Sequence, residues 1–292
     1  MGETLVLCGD ATAPKGRPLE TLRLSTSGRN ENISLSIDDI SKRMVTDVPD
    51  MLADLLEVAT YVYCADQLIS RGGDAMQGLG KAWRRRLNFV IPVREPDRWK
   101  RPEINECLVK LLAFMSDEEF RFLFQPAASP RAGSSYFNFS DANNTGFQAD
   151  EIALFSGGLD SLAGVVDQLE HERNRILLVS HRSSPQIFER QKYLAGELTS
   201  RFPKRVFHVP VRITKHNVEA IETTQRTRSF LFAALAVVVG RLAGQKRLRF
   251  YENGVVSFNL PIAKSGGWGP GNTQHPPASA QRSAILFVSP VG

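Results

Sequence analysis

The spacing of apolar and polar residues predicts two differently built halves. Residues 1 to about 35 mix Thr, Ser, Gly and Arg with short alternations such as Thr4-Leu5-Val6-Leu7, which predicts one or two edge strands. Ser36-Ile37-Asp38-Asp39 reads as a short turn. A long helix opens at Pro49-Asp50 and runs through Ala65 or beyond. Its apolar positions Leu52, Leu55, Leu56, Val58, Ala59, Val62 and Tyr63 cover a face wide enough to predict near-complete burial. Arg71-Gly72-Gly73 ends it. Residues 87–93 form a strand candidate closed by Arg94-Glu95-Pro96. A helix over 102–115 starts on a proline and turns Ile104, Leu108, Leu111 and Leu112 inward. Phe120-Arg121-Phe122-Leu123-Phe124 alternates as a strand does, and predicts a hairpin-like pair with the 87–93 run.

Residues 125–150 shift to Pro, Ala, Ser, Gly and Asn and read as a linker. Beyond it strand and helix patterns alternate: strands at 152–155, 176–180, 205–211 and 247–251, and helices at 159–171, 185–201 and 228–244. Such alternation with short connections predicts a parallel sheet covered on both faces. The expected fold is therefore α/β, with a smaller α+β domain (1–135), a linker (136–150) and a nucleotide-binding domain (151–262). In such sheets ligands gather at the carboxyl ends of the strands. That rule makes residues 156–161, Ser180-His181-Arg182 and Glu252-Asn253-Gly254 neighbours around one crevice.

Composition narrows the function classes. Apolar content of 42% and charged content of 23% over 292 residues are those of a globular protein. No apolar run approaches the roughly 18 residues that a membrane span needs, and residues 1–10 lack a basic signal-peptide region, so the expected location is the cytoplasm. Cys8, Cys64 and Cys107 are scattered, which argues against a disulfide framework and a zinc site. The net charge of +5 suits a nucleotide or an RNA partner. Arg84-Arg85-Arg86 reads as an exposed helix end whose cations favour the C-terminal dipole.

The chemistry concentrates at Ser156-Gly157-Gly158-Leu159-Asp160-Ser161, between a short apolar strand and an apolar-periodic helix. This order directs backbone N–H groups and the positive end of the helix dipole at one spot, an anion site. Two glycines let the backbone approach a phosphate, and Ser156 and Ser161 add hydroxyls. Asp160 beside a phosphate implies an intervening cation, Mg²⁺. Arg228, opening a very apolar helix, is placed to clamp a phosphate. His181 and Ser180 are candidate nucleotide contacts, and Glu252 a candidate Mg²⁺ ligand or substrate-orienting acid. His208 reads as a satisfied core or edge residue, His171 and His216 as surface residues, and the Trp83 and Trp99 region as core of the first domain. A rival phosphate loop at residues 75–82 matches a Walker A pattern only at Gly80-Lys81.

The 156–161 segment resembles the SGGxDS loop of the PP-loop ATP pyrophosphatases, which cleave ATP to AMP and pyrophosphate. Over the whole chain the sequence is similar to the 7-cyano-7-deazaguanine synthases, above all to the longer relatives found in Qat-type anti-phage operons. The matching pieces are Ala65-Asp66-Gln67 with Arg71-Gly72-Gly73, Ile91-Pro92-Val93-Arg94 with Trp99, the loop, and Glu252-Asn253-Gly254 through Ser257-Phe258-Asn259-Leu260-Pro261. The resemblance implies an adenine nucleotide α-hydrolase-like, Rossmann-like domain that binds ATP and Mg²⁺. It also implies adenylation of a deazaguanine carboxylate followed by attack of ammonia. Ser156, Gly157, Gly158, Leu159 and Ser161 would hold the phosphates, Asp160 would organise Mg²⁺, and Arg228 would support the departing pyrophosphate. The biosynthetic family's zinc-binding cysteines are missing after Cys107, which shifts the expectation towards a defence role, with a partner protein as one possible acceptor. A tRNA-modifying adenylating enzyme and a non-catalytic nucleotide- or partner-binding subunit are the other classes. Residues 264–292 break abruptly from the preceding pattern, and predict a disordered tail arising from truncation or a frameshift of the gene.

Overall fold

The computed structural model describes residues 3–16, 19–70, 85–128, 147–216, 220–222 and 226–251. The 71–73 turn, the 75–82 segment, Trp83, Glu252 and residues 253–292 lie outside them, as does most of the expected linker.

The elements run β1 (Glu3–Cys8), β2 (Glu20–Leu24), β3 (Ile33–Leu35), α1 (Ile37–Met44), α2 (Asp50–Leu68), β4 (Arg86–Val93), α3 (Pro96–Trp99), α4 (Pro102–Ser116) and β5 (Glu119–Pro126). After the loop come β6 (Glu151–Leu154), α5 (Leu159–His171), β7 (Ile176–Arg182), α6 (Pro185–Arg201), β8 (Val206–Lys215), α7 (Arg228–Leu242) and β9 (Leu248–Arg249). The architecture is α/β, of a Rossmann-like kind.

Several local expectations change. Residues 36–39 start helix α1 rather than a turn. Strand β1 is interior, with five of its six residues buried, and sits between β2 and β4 in a four-stranded sheet ordered β2-β1-β4-β5. All its pairings are parallel, including β4 with β5, so the expected hairpin is a crossover through α3 and α4. The first half is thus built on a parallel sheet, not an α+β mixture.

The second sheet has the order β3-β8-β7-β6-β9. Four of its strands are parallel, and β3 adds to its edge antiparallel to β8. Successive residues of β6 and β7 face opposite sides, as strand geometry requires. Ala153, Phe155, Ile176 and Leu178 pack with Val165 and Leu169 of α5 and Ala195 and Leu198 of α6. Ile152, Leu177 and Val179 pack with α7 on the other face.

Helix α2 explains how the two sheets share one core. Every residue from 53 to 68 is buried, and its contacts reach both the first sheet and α7. Burial on all sides demands that its acids be paired. Asp54 accepts from the amides of Arg94 and Glu95, from the Arg94 guanidinium at 2.6 Å and from Trp99 Nε1 at 3.2 Å. Burial nonetheless pushes its carboxyl above the usual range, against those hydrogen bonds. Trp99, with no exposed surface, is the core residue expected. Arg85 is not exposed: its guanidinium lies buried between Asp66 and Glu118, at 2.6 and 2.5 Å.

Candidate functional site

Chain direction places the site. From β6 the chain moves through α5 to β7 and through α6 to β8, then returns through α7 to β9 on the other side of β6. The carboxyl end of β6 is therefore where the winding reverses, the position at which open α/β sheets bind ligands. The Ser156-Gly157-Gly158 turn lies there.

Gly157 has φ +76°, and a Cβ on it would stand 3.0 Å from Gln191 Cγ, so both backbone and packing require glycine. Gly158 is the residue preceding α5, and no side chain caps that helix. Its first-turn N–H groups therefore remain available to an anion. The Gly158 N–H donates to Ser156 Oγ at 3.2 Å. Ser161 Oγ donates to the Gly158 carbonyl at 3.0 Å and lies 3.1 Å from Ser156 Oγ. The two hydroxyls thus brace the turn as well as facing its opening.

A cleft of about 810 Å³, its open mouth included, begins at this turn. Ser156, Gly158 and Ser161 form one side, Arg190 and Gln191 of α6 another, and Arg228 and Phe232 of α7 a third. Its described lining holds two arginines and one histidine and contains no carboxylate. Arg228 occupies the first position of α7, where the helix dipole disfavours a cation, and its guanidinium lies 4.8 Å from the centre of the Phe232 ring. The cleft is thus built for negative charge.

Helix α7 is fixed at this end from the first half of the chain. Asp66 Oδ2 accepts from both the amide and the hydroxyl of Thr227 at 3.1 Å. The same carboxylate pairs with Arg85. On the opposite side, Tyr251 lines the cleft and donates its hydroxyl to Gln168 Oε1, while Gln168 donates to Glu151. Arg249 pairs with Glu151 and holds its carboxyl below the usual range. Gly164 makes room for the Tyr251 ring: a Cβ there would fall 2.0 Å from Cδ1.

The expected site residues divide. Ser156, Gly158, Ser161, His181 and Arg228 line the cleft, and Gly157 shapes the turn without lining it. His181 is a buried strand residue rather than a solvated loop histidine. Its Nε2 donates to the Ile213 carbonyl at 2.9 Å, and burial pushes its pKa down to about 4. Ser180 does not line the cleft. Its buried hydroxyl donates to the Phe155 carbonyl at 2.6 Å and lies 2.8 Å from His208 Nε2, which also satisfies His208. Leu159 is 80% exposed, and neither it nor the exposed Asp160 lines the cleft. No group of three or more metal-ligating side chains occurs among the described residues. Glu252 lies outside them.

Arg190, Gln191 and Phe232 were not anticipated. Gln191 carried a signal, since it interrupts the buried stripe Gln191, Ala195, Leu198 of α6, where an apolar residue would be expected.

Comparison with protein-family models, curated proteins and solved structures gives no match. No described helix is long and apolar enough to cross a membrane.

Proposed function

We propose that the cleft binds ATP and that the chain adenylates a carboxylate, which ammonia then converts to an amide. The observation that carries this reading is the convergence on one cleft of the 156–161 turn, the uncapped start of α5 and two arginines, with no carboxylate in the described lining. The sequence resemblance supplies the acceptor class, 7-carboxy-7-deazaguanine.

In this reaction an acceptor carboxylate oxygen bonds to the α-phosphorus as the bond to the bridging oxygen of the β-phosphate breaks. Pyrophosphate leaves, and attack of ammonia on the activated carbonyl releases AMP. The residues contribute position and charge. The N–H groups of the turn and the hydroxyls of Ser156 and Ser161 hold phosphate oxygens. Arg228 faces the charge that accumulates on pyrophosphate, with Arg190 across the cleft. Mg²⁺ would neutralise phosphate charge. Asp160 is the exposed carboxylate in the first turn of α5 that would hold it together with the phosphates themselves.

Nucleotide product analysis with ATP, Mg²⁺, ammonium and 7-carboxy-7-deazaguanine tests the proposal. AMP and pyrophosphate should form only with the acid present and be lost in Asp160→Ala. AMP formation indifferent to the acid would redirect the search to another acceptor, a partner protein or an RNA base included. The position of Asp160 outside the cleft lining favours one other reading, a subunit that binds nucleotide without turnover. Tight ATP binding with no AMP formed, unchanged by Asp160→Ala, would establish that alternative.

A further inference from the structure

Beside the cleft, the rim of the second sheet carries a separate concentration of positive charge. Arg182, the last residue of β7, lies directly opposite Arg212 of β8 in the parallel register. Paired residues of parallel strands project to the same side, so the two arginines share one face, opposite to that of His181. Helix α6 flanks this face, and the Arg182 Cζ stands 4.1 Å from the centre of the Phe188 ring. Lys192 lies one helical turn beyond Phe188 and is exposed. On the other flank α1 packs against β8 and brings its exposed Arg43. Burial, and after it the charge of Arg43, holds the pKa of His208 on the same face down to about 4.

These cations lack counter-charges. None of Arg43, Arg182, Lys192 and Arg212 has a side-chain hydrogen bond or an ion pair among the described residues, whereas Arg85, Arg94 and Arg249 each hold a carboxylate. Of the acids on α1 and the first turns of α6, Asp39 accepts the Arg212 amide through Oδ2 at 3.2 Å. Asp38 and Glu189 are exposed and pair with none of the four cations. Like charges in register on neighbouring strands repel each other, and an anion between them removes that cost. Two guanidinium forks side by side match the oxygens of a phosphate.

We propose that this face binds a single-stranded nucleic acid, with Arg182 and Arg212 on its phosphates. Two features favour a nucleic acid over an acidic peptide. The Phe188 ring supports the Arg182 guanidinium as a platform on which a base stacks. The cations are also strung from α6 to α1 rather than gathered at one point, as a groove that tracks a backbone requires. Ser183, next to Arg182, lines the cleft, so the bound strand passes its mouth.

The inference does not depend on the ATP reading, and its test contains no nucleoside triphosphate. Fluorescence anisotropy of the full chain would follow labelled RNA and DNA strands of roughly 20 residues between about 50 and 200 mM salt. Wild type should bind RNA, DNA or both, more tightly at low salt, and the ratio names the strand. Arg182→Ala with Arg212→Ala should bind about tenfold or more weakly, with a salt slope smaller by about 1.4, the loss of two phosphate contacts on a single strand. Arg182→Lys with Arg212→Lys should keep the slope and lose part of the affinity. Arg23→Ala with Arg29→Ala removes two exposed cations in and just beyond β2 and should change little. If the Arg182/Arg212 alanine variant does not fold, phenylglyoxal labelling of wild type decides: the bound strand should shield Arg182 and Arg212. An equal loss in the Arg23/Arg29 variant shows diffuse charge attraction only and overturns the proposal. Binding of neither strand overturns it as well, and binding of polyglutamate instead assigns the face to an acidic protein partner.

Discussion

Asp66 gives the sharpest test of how the first half of the chain supports the cleft. The side chain is 1% exposed. One oxygen pairs with Arg85 at 2.6 Å and the other receives the amide and hydroxyl of Thr227, the residue preceding α7. Asp66→Asn preserves volume but removes the charge and replaces an acceptor by a donor. Whichever way the new amide turns, its NH₂ meets either the Arg85 guanidinium or the Thr227 N–H. Removing one partner of a buried ion pair costs about 3–5 kcal/mol. Arg85 retains Glu118 at 2.5 Å, which places the loss near the lower end, about 3 kcal/mol. Urea unfolding with linear extrapolation measures it. Thr227→Val, which removes only the hydroxyl, should cost about 1 kcal/mol. The double variant should cost less than the two single losses together, because both act on one network. ATP affinity should fall as well, since the first turn of α7 carries Arg228. A loss below about 1 kcal/mol in Asp66→Asn, or strict additivity with Thr227→Val, would refute the proposed coupling.

Gly157→Ala should destabilise by about 1–2 kcal/mol, the cost of the left-handed conformation, and should weaken nucleotide binding further by displacing Gln191. Paired denaturation and binding curves separate the two effects. Gly164→Ala should cost about 1–3 kcal/mol by forcing Tyr251 off α5, and the displaced ring should be visible as altered tyrosine fluorescence. The burial of His181 makes stability depend on pH. The unfolded histidine takes a proton below about 6.5, whereas the folded one resists until about 4. Its contribution is therefore complete above pH 6.5 and is lost as pH falls towards 4, by up to about 3 kcal/mol, with His208 acting in the same direction. Urea midpoints that stay flat between pH 7 and pH 4.5 would contradict this assignment.

The elements that could be read from sequence were those whose signal is local. The apolar run and glycine break at 152–158, the proline starts of α4 and α6, and the broad apolar faces of α2 and α7 each fold as their own pattern requires. Pairings between distant segments could not be read. The alternation of residues 120–124 identifies a strand but not its direction, and the helix between it and β4 makes the pair parallel. The arginine run at 84–86 looked solvated because its partners, Asp66 and Glu118, lie 19 and 33 residues from Arg85. At the site, the turn and Arg228 announce themselves by residue type. Ser180 has the right type and position, but its hydroxyl is consumed by Phe155 and His208. Gln191 was overlooked because its signal, one polar residue in an otherwise apolar stripe of α6, names no chemistry.

Strand β3 comes from the first fifty residues yet closes the edge of the second sheet, with Ile33, Ser34 and Leu35 opposite Lys215, Thr214 and Ile213. The second half of the chain is therefore not an autonomous folding unit. Cutting in the 129–146 segment would strip β8 of its neighbour and uncover a row of unpaired amides and carbonyls, a template for intermolecular association. It would also bare the face of α7 that α2 covers. During synthesis β3 emerges some 170 residues before its partner strand and must wait for it. Assembly of the second sheet's edge is thereby tied to completion of β8, so a ribosome-bound chain ending before residue 215 leaves β3 without its full pairing.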